Sequence, residues 1–288
     1  MDLSGKTAIV TGGGRDIGRA CVIALAEAGA NVAINYFSSS SGADSAVDEI
    51  IAGGGKAIAL QGDMTKPADV AALVDKTVSE FGGLDIVMPI TGGLIARKKV
   101  AEITAEHWQD VFDLNVSSAL LLVQASLPHM KPGGAIVTMA SQAARDGGGP
   151  GALAYAAAKG AVLTMTRGLA KELAPDIRVN SLCPGMIDTD FHNVFTKPDV
   201  RKHVAGVTPL KREGASEEVA NLAVFLASDQ AAFMTGACVD INGGLLFSCR
   251  LYRSTQPAFR QSKAGLSQSH LSGPYKSDFS FSLLDSNT

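Results

Sequence analysis

The sequence predicts an α/β protein: a doubly wound, seven-stranded parallel sheet flanked by helices, in a single domain followed by a C-terminal tail. Three observations predict it. Short apolar runs of β type alternate with longer segments of helical periodicity, the pattern of βαβ units around a sheet buried on both faces. A cluster of glycines sits where the first strand run meets the first helix run. The length of 288 residues, with 46% hydrophobic and 18% charged side chains, suits one domain with a large core.

The elements follow in order. Strand runs are TAIVT (7–11), NVAINY (31–36), KAIAL (56–60), LDIVMPI (84–90), AIVTMAS (135–141), IRVNSL (177–182) and CVDIN (238–242). Between them, 18–28, 43–52, 67–81, 105–130, 152–173 and 216–227 have the length and spacing of helices, so every crossover has its helix. Residues 189–213 interrupt the alternation with DFHNVFTKPDVRKHVAGVTPLKRE, a mixture of aromatic, basic and proline residues that reads as a lid beside the last strands. The pattern closes after Gly243 and Gly244. Residues 1–247 are therefore expected to form the domain, and 248–288, with ten serines and few aliphatics, a Ser-rich disordered tail.

Composition excludes several classes. Outside the tail the chain has 20 basic and 26 acidic residues, a net charge of −6 that should repel nucleic acid and anionic membranes. No uninterrupted apolar run reaches the roughly 18 residues that span a bilayer. The start, MDLSGKTAIVTGG, has neither a basic n-region nor a long apolar h-region. Four cysteines (Cys21, Cys183, Cys238, Cys249) without CxxC spacing suggest neither a disulfide framework nor a metal site. A cytoplasmic protein without metal is expected.

TGGGRDIGRA (11–20) follows the first strand and opens the first helix, where glycines admit a pyrophosphate and free N–H groups attract its charge. The alternative is a tight structural turn. The spacing Gly12-x-Gly14-x-x-x-Gly18 resembles the TGxxxGxG fingerprint of the classical short-chain dehydrogenases/reductases, with Asp16 in place of the middle glycine. An aspartate caps helices well, but its charge would here face a phosphate, with Arg15 as compensator. The resemblance covers about 3–247 and implies a Rossmann-type fold, a dinucleotide held by Gly12 to Gly18 with Ile17 among them, and commonly a homotetramer. The second strand ends Asn35-Tyr36-Phe37-Ser38 without the acid that usually holds a ribose 2′-hydroxyl, so NADP(H) is favoured, with NAD(H) as the other candidate. Asp63, followed by Met64, matches the family's adenine-contacting aspartate; alternatively it caps the helix that starts near Pro67.

In SQAARDGGGPGALAYAAAK (141–159), Tyr155 and Lys159 stand four apart, which puts a phenol and an ammonium on one helix face. A close cation favours the phenolate of a group that otherwise titrates near 10. Such pairs occur by chance on many helices, but Ser141 ends the fifth strand and Asn115 lies in the preceding helix. In order and setting the four resemble the family's Asn-Ser-Tyr-Lys tetrad. The resemblance implies that Tyr155 exchanges a proton with a carbonyl oxygen, Ser141 orients that oxygen, Lys159 holds the nicotinamide ribose, and Asn115 keeps a water in line. NSLCPGMIDT likewise resembles the family's N-x-x-x-PG-x-I-x-T, which implies that Pro184, Gly185, Ile187 and Thr189 surround the nicotinamide. At the fourth strand the family's N-N-A-G is replaced by Pro89-Ile90-Thr91-Gly92, so its polar ties must be made otherwise, while Gly92 and Gly93 still allow close passage of the adenosine ribose and Thr91 and Gly92 are expected among the cofactor contacts.

For the small-molecule substrate, cations gather near the pocket: Arg145, four residues after Ser141, and Lys197, Arg201, Lys202, His203, Lys211 and Arg212 in the lid. They suit an anion, unless they face solvent or, for Arg145, pair with Asp146 or another subunit. GGLIARKKV, SQAARDGGGPGALAY and FHNVFTKPDVRKHVAG together resemble the uronate reductases of alginate breakdown, which reduce 4-deoxy-L-erythro-5-hexoseulose uronate to 2-keto-3-deoxy-gluconate. That likeness implies substrate contacts from Gln142, Arg145 and His192. The alternatives are a 3-oxoacyl-carrier-protein reductase and, from another class, a protein that senses NADP(H) without turnover.

Overall fold

The computed structural model describes residues 1–247; the tail predicted at 248–288 lies outside the described residues. Seven parallel strands form one sheet in the order β3-β2-β1-β4-β5-β6-β7. They are β1 (Thr7–Thr11), β2 (Asn31–Tyr36), β3 (Ala57–Gln61), β4 (Leu84–Pro89), β5 (Met130–Met139), β6 (Ile177–Pro184) and β7 (Cys238–Ile241). Ten helices connect them: α1 (Asp16–Glu27), α2 (Ser40–Ala52), α3 (Pro67–Phe81), α4 (Ala105–Phe112), α5 (Ser118–Ser126), α6 (Ala143–Asp146), α7 (Leu153–Leu173), α8 (Asp190–Phe195), α9 (Pro198–Val207) and α10 (Ser216–Ala227). This is the Rossmann-type architecture the sequence predicts.

The double winding follows from the strand period. In β1, Ala8 and Val10 join a core with Leu25 of α1, Ala46 of α2 and Val224 of α10, whereas Ile9 between them joins Leu73 of α3, Leu122 of α5 and Val179. Successive side chains point to opposite faces, so a strand buried on both sides has no polar position to give up, and TAIVT is buried throughout. Because β1 pairs with both β2 and β4, the chain order reverses at β1. A crevice opens there beyond the carboxyl ends of the strands.

One departure from the sequence expectation shapes that crevice. The helix predicted over 105–130 is interrupted after α4 by a π-helical turn, Asp113–Ser117, and ends before β5, which begins at Met130 rather than 135. The turn is held by Asn115, whose Nδ2 donates to the Val111 carbonyl (2.8 Å). Periodicity cannot reveal one extra residue inside a helix, and such turns are frequent at functional sites. The stretch Ala105–His129 is apolar enough on composition to cross a membrane, but Leu122 and Val123 are core residues against the sheet. The lid consists of the two helices α8 and α9, with Pro198 at the first turn of α9.

Candidate active site

The crevice is one continuous cleft of about 930 Å³, running from the loop between β1 and α1 to the lid. At the end beside β1 and α1 the surface is formed by backbone. Gly18 lies so close to the chain before it that a Cβ there would meet the Gly12 carbonyl oxygen at 2.1 Å, which is why glycine occupies the first turn of α1. With no side chain in the way, Gly12, Gly14, Ile17 and Gly18 line the cleft, and the first-turn N–H groups of α1 have no intrahelical acceptor. Asn35 borders this end but is buried, and its amide is engaged with backbone: Nδ2 donates to the Gly62 carbonyl (3.0 Å), and the adjacent Asn35 carbonyl accepts from Gly13 N–H (2.9 Å). It shapes the loops after β1 and β3.

Asp16 adopts the left-handed conformation (φ 50°) and turns its carboxylate away from the helix it opens. Oδ1 accepts the Asp190 N–H (3.0 Å), so it meets the first residue of α8 in the lid. Arg15 stays near it at 4.0 Å with a largely exposed side chain. Tyr36, Ser38, Asp63 and Met64 line the same end, together with Lys66, which the sequence did not single out. Asp63 caps no helix; Oδ1 closes a local turn by accepting from Thr65 N–H (2.9 Å) and Oγ1–H (2.8 Å).

Further along, Thr91 and Gly92 pass over Asn115 and Lys159. A Cβ on Gly92 would lie 2.7 Å from Asn115 Oδ1 and 2.9 Å from Lys159 Nζ, so a side chain there would push both polar ends aside. The missing polar ties of this segment are replaced. Thr11 Oγ1 accepts the Thr91 N–H (3.3 Å), and Asn115 takes both backbone groups of Gly93, accepting its N–H (3.0 Å) and donating to its carbonyl (2.8 Å).

The chemical end joins Ser141, just past β5, with Tyr155 and Lys159 on α7; all three line the cleft. Lys159 is buried, donates to the Met139 carbonyl (2.8 Å), and stands 5.7 Å from the centroid of the Tyr155 ring. Burial pushes its ammonium down to about 8. The Tyr155 phenol is pushed up by burial, while a hydrogen bond with Ser141 opposes that shift. Desolvation thus sets the direction of the shift, opposite to the depression expected from a close cation. Ala154 and Ala158 of α7 pack on Val111 of α4.

Around the mouth the structure corrects one assignment and redistributes others. Arg145 does not line the cleft. It sits on α6, which turns it back under the sheet edge, where it pairs with Asp240 of β7 (Nε–Oδ1 2.8 Å) and donates to the Cys238 carbonyl (2.9 Å). Nor do the six lid cations line the cleft. Arg201 is held by Asp188, Asn193 and Glu213, Arg212 by Glu218 (2.6 Å), and Lys211 by the Gly206 carbonyl (2.8 Å). Gln142 and His192 do line it. Gln142 Nε2 donates to Asp146 (2.9 Å), whereas its buried Oε1 has no partner in the protein and lies beside Gly185. His192 contacts Thr196 Oγ1 through Nδ1 (2.9 Å); burial, then the charges of Arg201 and Arg97, hold it down at about 4, so the ring is neutral.

Sequence reasoning missed Phe191 and Arg97. The Phe191 ring lies 5.7 Å from the Tyr155 ring, and Arg97 reaches the mouth from the loop after β4. Phe191 adjoins a residue that was singled out, and Arg97 lies in a stretch that was quoted, but neither carries a local signal of its direction.

A family model described as enoyl-(acyl carrier protein) reductase matches residues 12–246. The chain belongs to the classical short-chain dehydrogenase/reductase family. Like its relatives it is an NAD(P)-dependent oxidoreductase acting on carbonyl and hydroxyl groups. Among them, an uncharacterized oxidoreductase of Methylorubrum extorquens is 38% identical over 84% of this chain and 98% of its own. A 3-oxoacyl-[acyl-carrier-protein] reductase of Staphylococcus epidermidis is 35% identical over 83% of this chain and 98% of its own. A short chain dehydrogenase of Burkholderia cenocepacia, solved in complex with NADP, superposes with a TM-score of 0.79 at 34% identity, over 85% of this chain and 99% of that one.

The cleft fits such a dinucleotide on its own chemistry. It offers first-turn amides for a pyrophosphate, Pro184, Gly185, Ile187 and Thr189 as a wall at the far end, and the unpartnered Gln142 Oε1 as a buried acceptor beside that wall.

Proposed function

We propose that this short-chain reductase uses NADP(H) to reduce a small carboxylate-bearing carbonyl, 4-deoxy-L-erythro-5-hexoseulose uronate, to 2-keto-3-deoxy-gluconate. The observation that carries the reaction class is the convergence of Ser141, Tyr155 and Lys159 on one cleft, with Asn115 buried behind Gly93. When bound, NADP(H) supplies the hydride. Tyr155 gives its phenolic proton to the carbonyl oxygen; a phenol pushed up by burial is protonated at neutral pH, the state that reduction needs. Ser141 hydrogen-bonds and orients that oxygen. Lys159 would hold the nicotinamide ribose, and its charge eases loss of the tyrosine proton. Asn115 keeps the π-helical turn and the Gly93 backbone in place beside them, and orders the water through which the proton is replaced.

The NADP(H) preference is supported by charge. No acid stands at the end of β2, where Tyr36 and Ser38 line the cleft, and Arg15 and Lys66 border the same region. A kcat/KM at least tenfold higher with NADPH than with NADH is expected, and a preference for NADH overturns it. The uronate reading is supported by the polar groups of Gln142 and His192 at the mouth and by Arg97 above it. A second reading, reduction of a 3-oxoacyl carrier thioester, is favoured by the Staphylococcus epidermidis relative and by Val200, Val204 and Leu245 on the same wall. Steady-state comparison of the uronate with acetoacetyl thioesters decides between them. A clear preference for the thioester removes the uronate. The reading includes a cytoplasmic homotetramer, whose contacts would cover Trp108 and Leu153 on the outer faces of α4 and α7.

A further inference from the structure

We propose that Arg97 is the specificity-determining residue of the mouth: its guanidinium holds the loop after β4, the glycine-rich loop and the lid together and reads the carboxylate of the substrate. The proposal rests on the anionic substrate inferred above.

Four observations support it. First, Arg97 bridges two separate segments. Nε donates to the Phe195 carbonyl at the end of α8 (2.7 Å), and Nη1 to the Pro150 carbonyl (2.8 Å). A guanidinium has five N–H donors, and three are left after these two bonds. Second, among the described residues no carboxylate pairs with Arg97, although the lid cations Arg201 and Arg212 are both paired. It lines the cleft in its own right, and its positive charge is one of the causes that hold His192 neutral.

Third, the surrounding backbone is shaped to admit it. A Cβ on Gly151, which has φ 75°, would come within 3.0 Å of Arg97 Cβ. A Cβ on Gly149 would lie 3.7 Å from Arg97 Nη1, so this loop also packs along the guanidinium. Fourth, the approach to Arg97 is strained. Ile95, two residues before, has φ 62°, a conformation that a β-branched residue adopts only under strain. Such strain persists where the surrounding structure fixes it, and here it lies in the loop that carries Arg97 to the cleft. An arginine fork suits a planar carboxylate, and a lysine does not reproduce it.

The test uses matched substrates that differ in charge: the uronate with its methyl ester, and acetoacetate with ethyl acetoacetate. Wild-type enzyme, Arg97→Met and Arg97→Lys are compared with NADPH. Loss of a charge-assisted contact predicts that Arg97→Met raises KM for each acid about 10- to 100-fold and for each ester less than threefold. Arg97→Lys, which keeps the charge and loses the fork, falls between. Calorimetric titration of the two acids into the NADP⁺-bound enzyme gives the same comparison without turnover. If Arg97 only fastens the lid, acids and esters weaken equally, and the proposal is overturned. Absence of saturable binding of both acids to wild-type enzyme overturns it as well. Failure of the uronate alone, with acetoacetate still dependent on Arg97, removes the substrate reading and leaves Arg97 as the anion reader.

Discussion

The two ends of the cleft are built in different ways. The nucleotide end is made of backbone at the carboxyl edge of β1 and β2, where glycines and the first turn of α1 form the surface. The substrate mouth is made of side chains from segments far apart in sequence: Arg97 after β4, Gln142 after β5, and Phe191 and His192 in α8. A backbone site can be recognised from a short run of residue types, because the conformation itself excludes other side chains. A side-chain site depends on directions that only the folded loops determine. Tyr155 lies between the two, and its removal should separate them. Tyr155→Phe is expected to lower kcat about 100- to 10,000-fold while the dissociation constant of NADPH changes little. Single-turnover rates and fluorescence titration check both halves; turnover near wild type would refute its role as proton donor.

The same contrast explains what was legible in the sequence. The sheet, its seven strands and the helix layers follow from period and length, which are local. Gly12 to Gly18 and the Tyr155-Lys159 pair are local as well. Arg145 was not legible: four residues after Ser141 it seemed placed for substrate, but α6 carries it to Asp240 on β7, 95 residues away in sequence. Both partners of that pair are about 17% exposed. Arg145→Met should therefore leave Asp240 without its counter-charge and destabilise the domain by about 2–3 kcal/mol, measured by urea unfolding. A loss under about 0.5 kcal/mol together with a raised KM for the uronate would return Arg145 to the substrate mouth.

Lys159 sharpens the comparison from the side of stability. Burial lowers its pKa from 10.5 to about 8, so the folded state binds its proton less tightly than the unfolded chain does. The cost of the buried ammonium is thus fully present below pH 8 and disappears as the pH rises toward 10.5. Lys159→Met should be inactive yet more stable at pH 7, by about 1–2 kcal/mol after loss of its bond to the Met139 carbonyl is counted. That advantage should shrink between pH 8 and 10.5 in chemical denaturation. A variant less stable than wild type at pH 7 would mean that the ammonium is compensated by its surroundings.

The smallest expected effect concerns a bond that joins the two ends. Asp16 stands where the family's fingerprint has a glycine, in a left-handed conformation that glycine accepts freely. Its carboxylate accepts the first N–H of α8, the helix that carries Phe191 and His192, so the glycine-rich turn and the lid are tied directly. A negative charge beside a bound pyrophosphate would oppose cofactor binding, whereas the lid contact uses the carboxylate. Asp16→Gly should then leave NADPH affinity unchanged or slightly higher, because strain and charge are both removed. KM for the uronate should rise about three- to tenfold, the scale of one hydrogen bond to a charged group at an exposed site. Asp16→Asn keeps the acceptor and should restore most of that KM. If both variants instead weaken NADPH and leave the uronate KM alone, Asp16 belongs to the backbone site, and the two ends of the cleft work without this link.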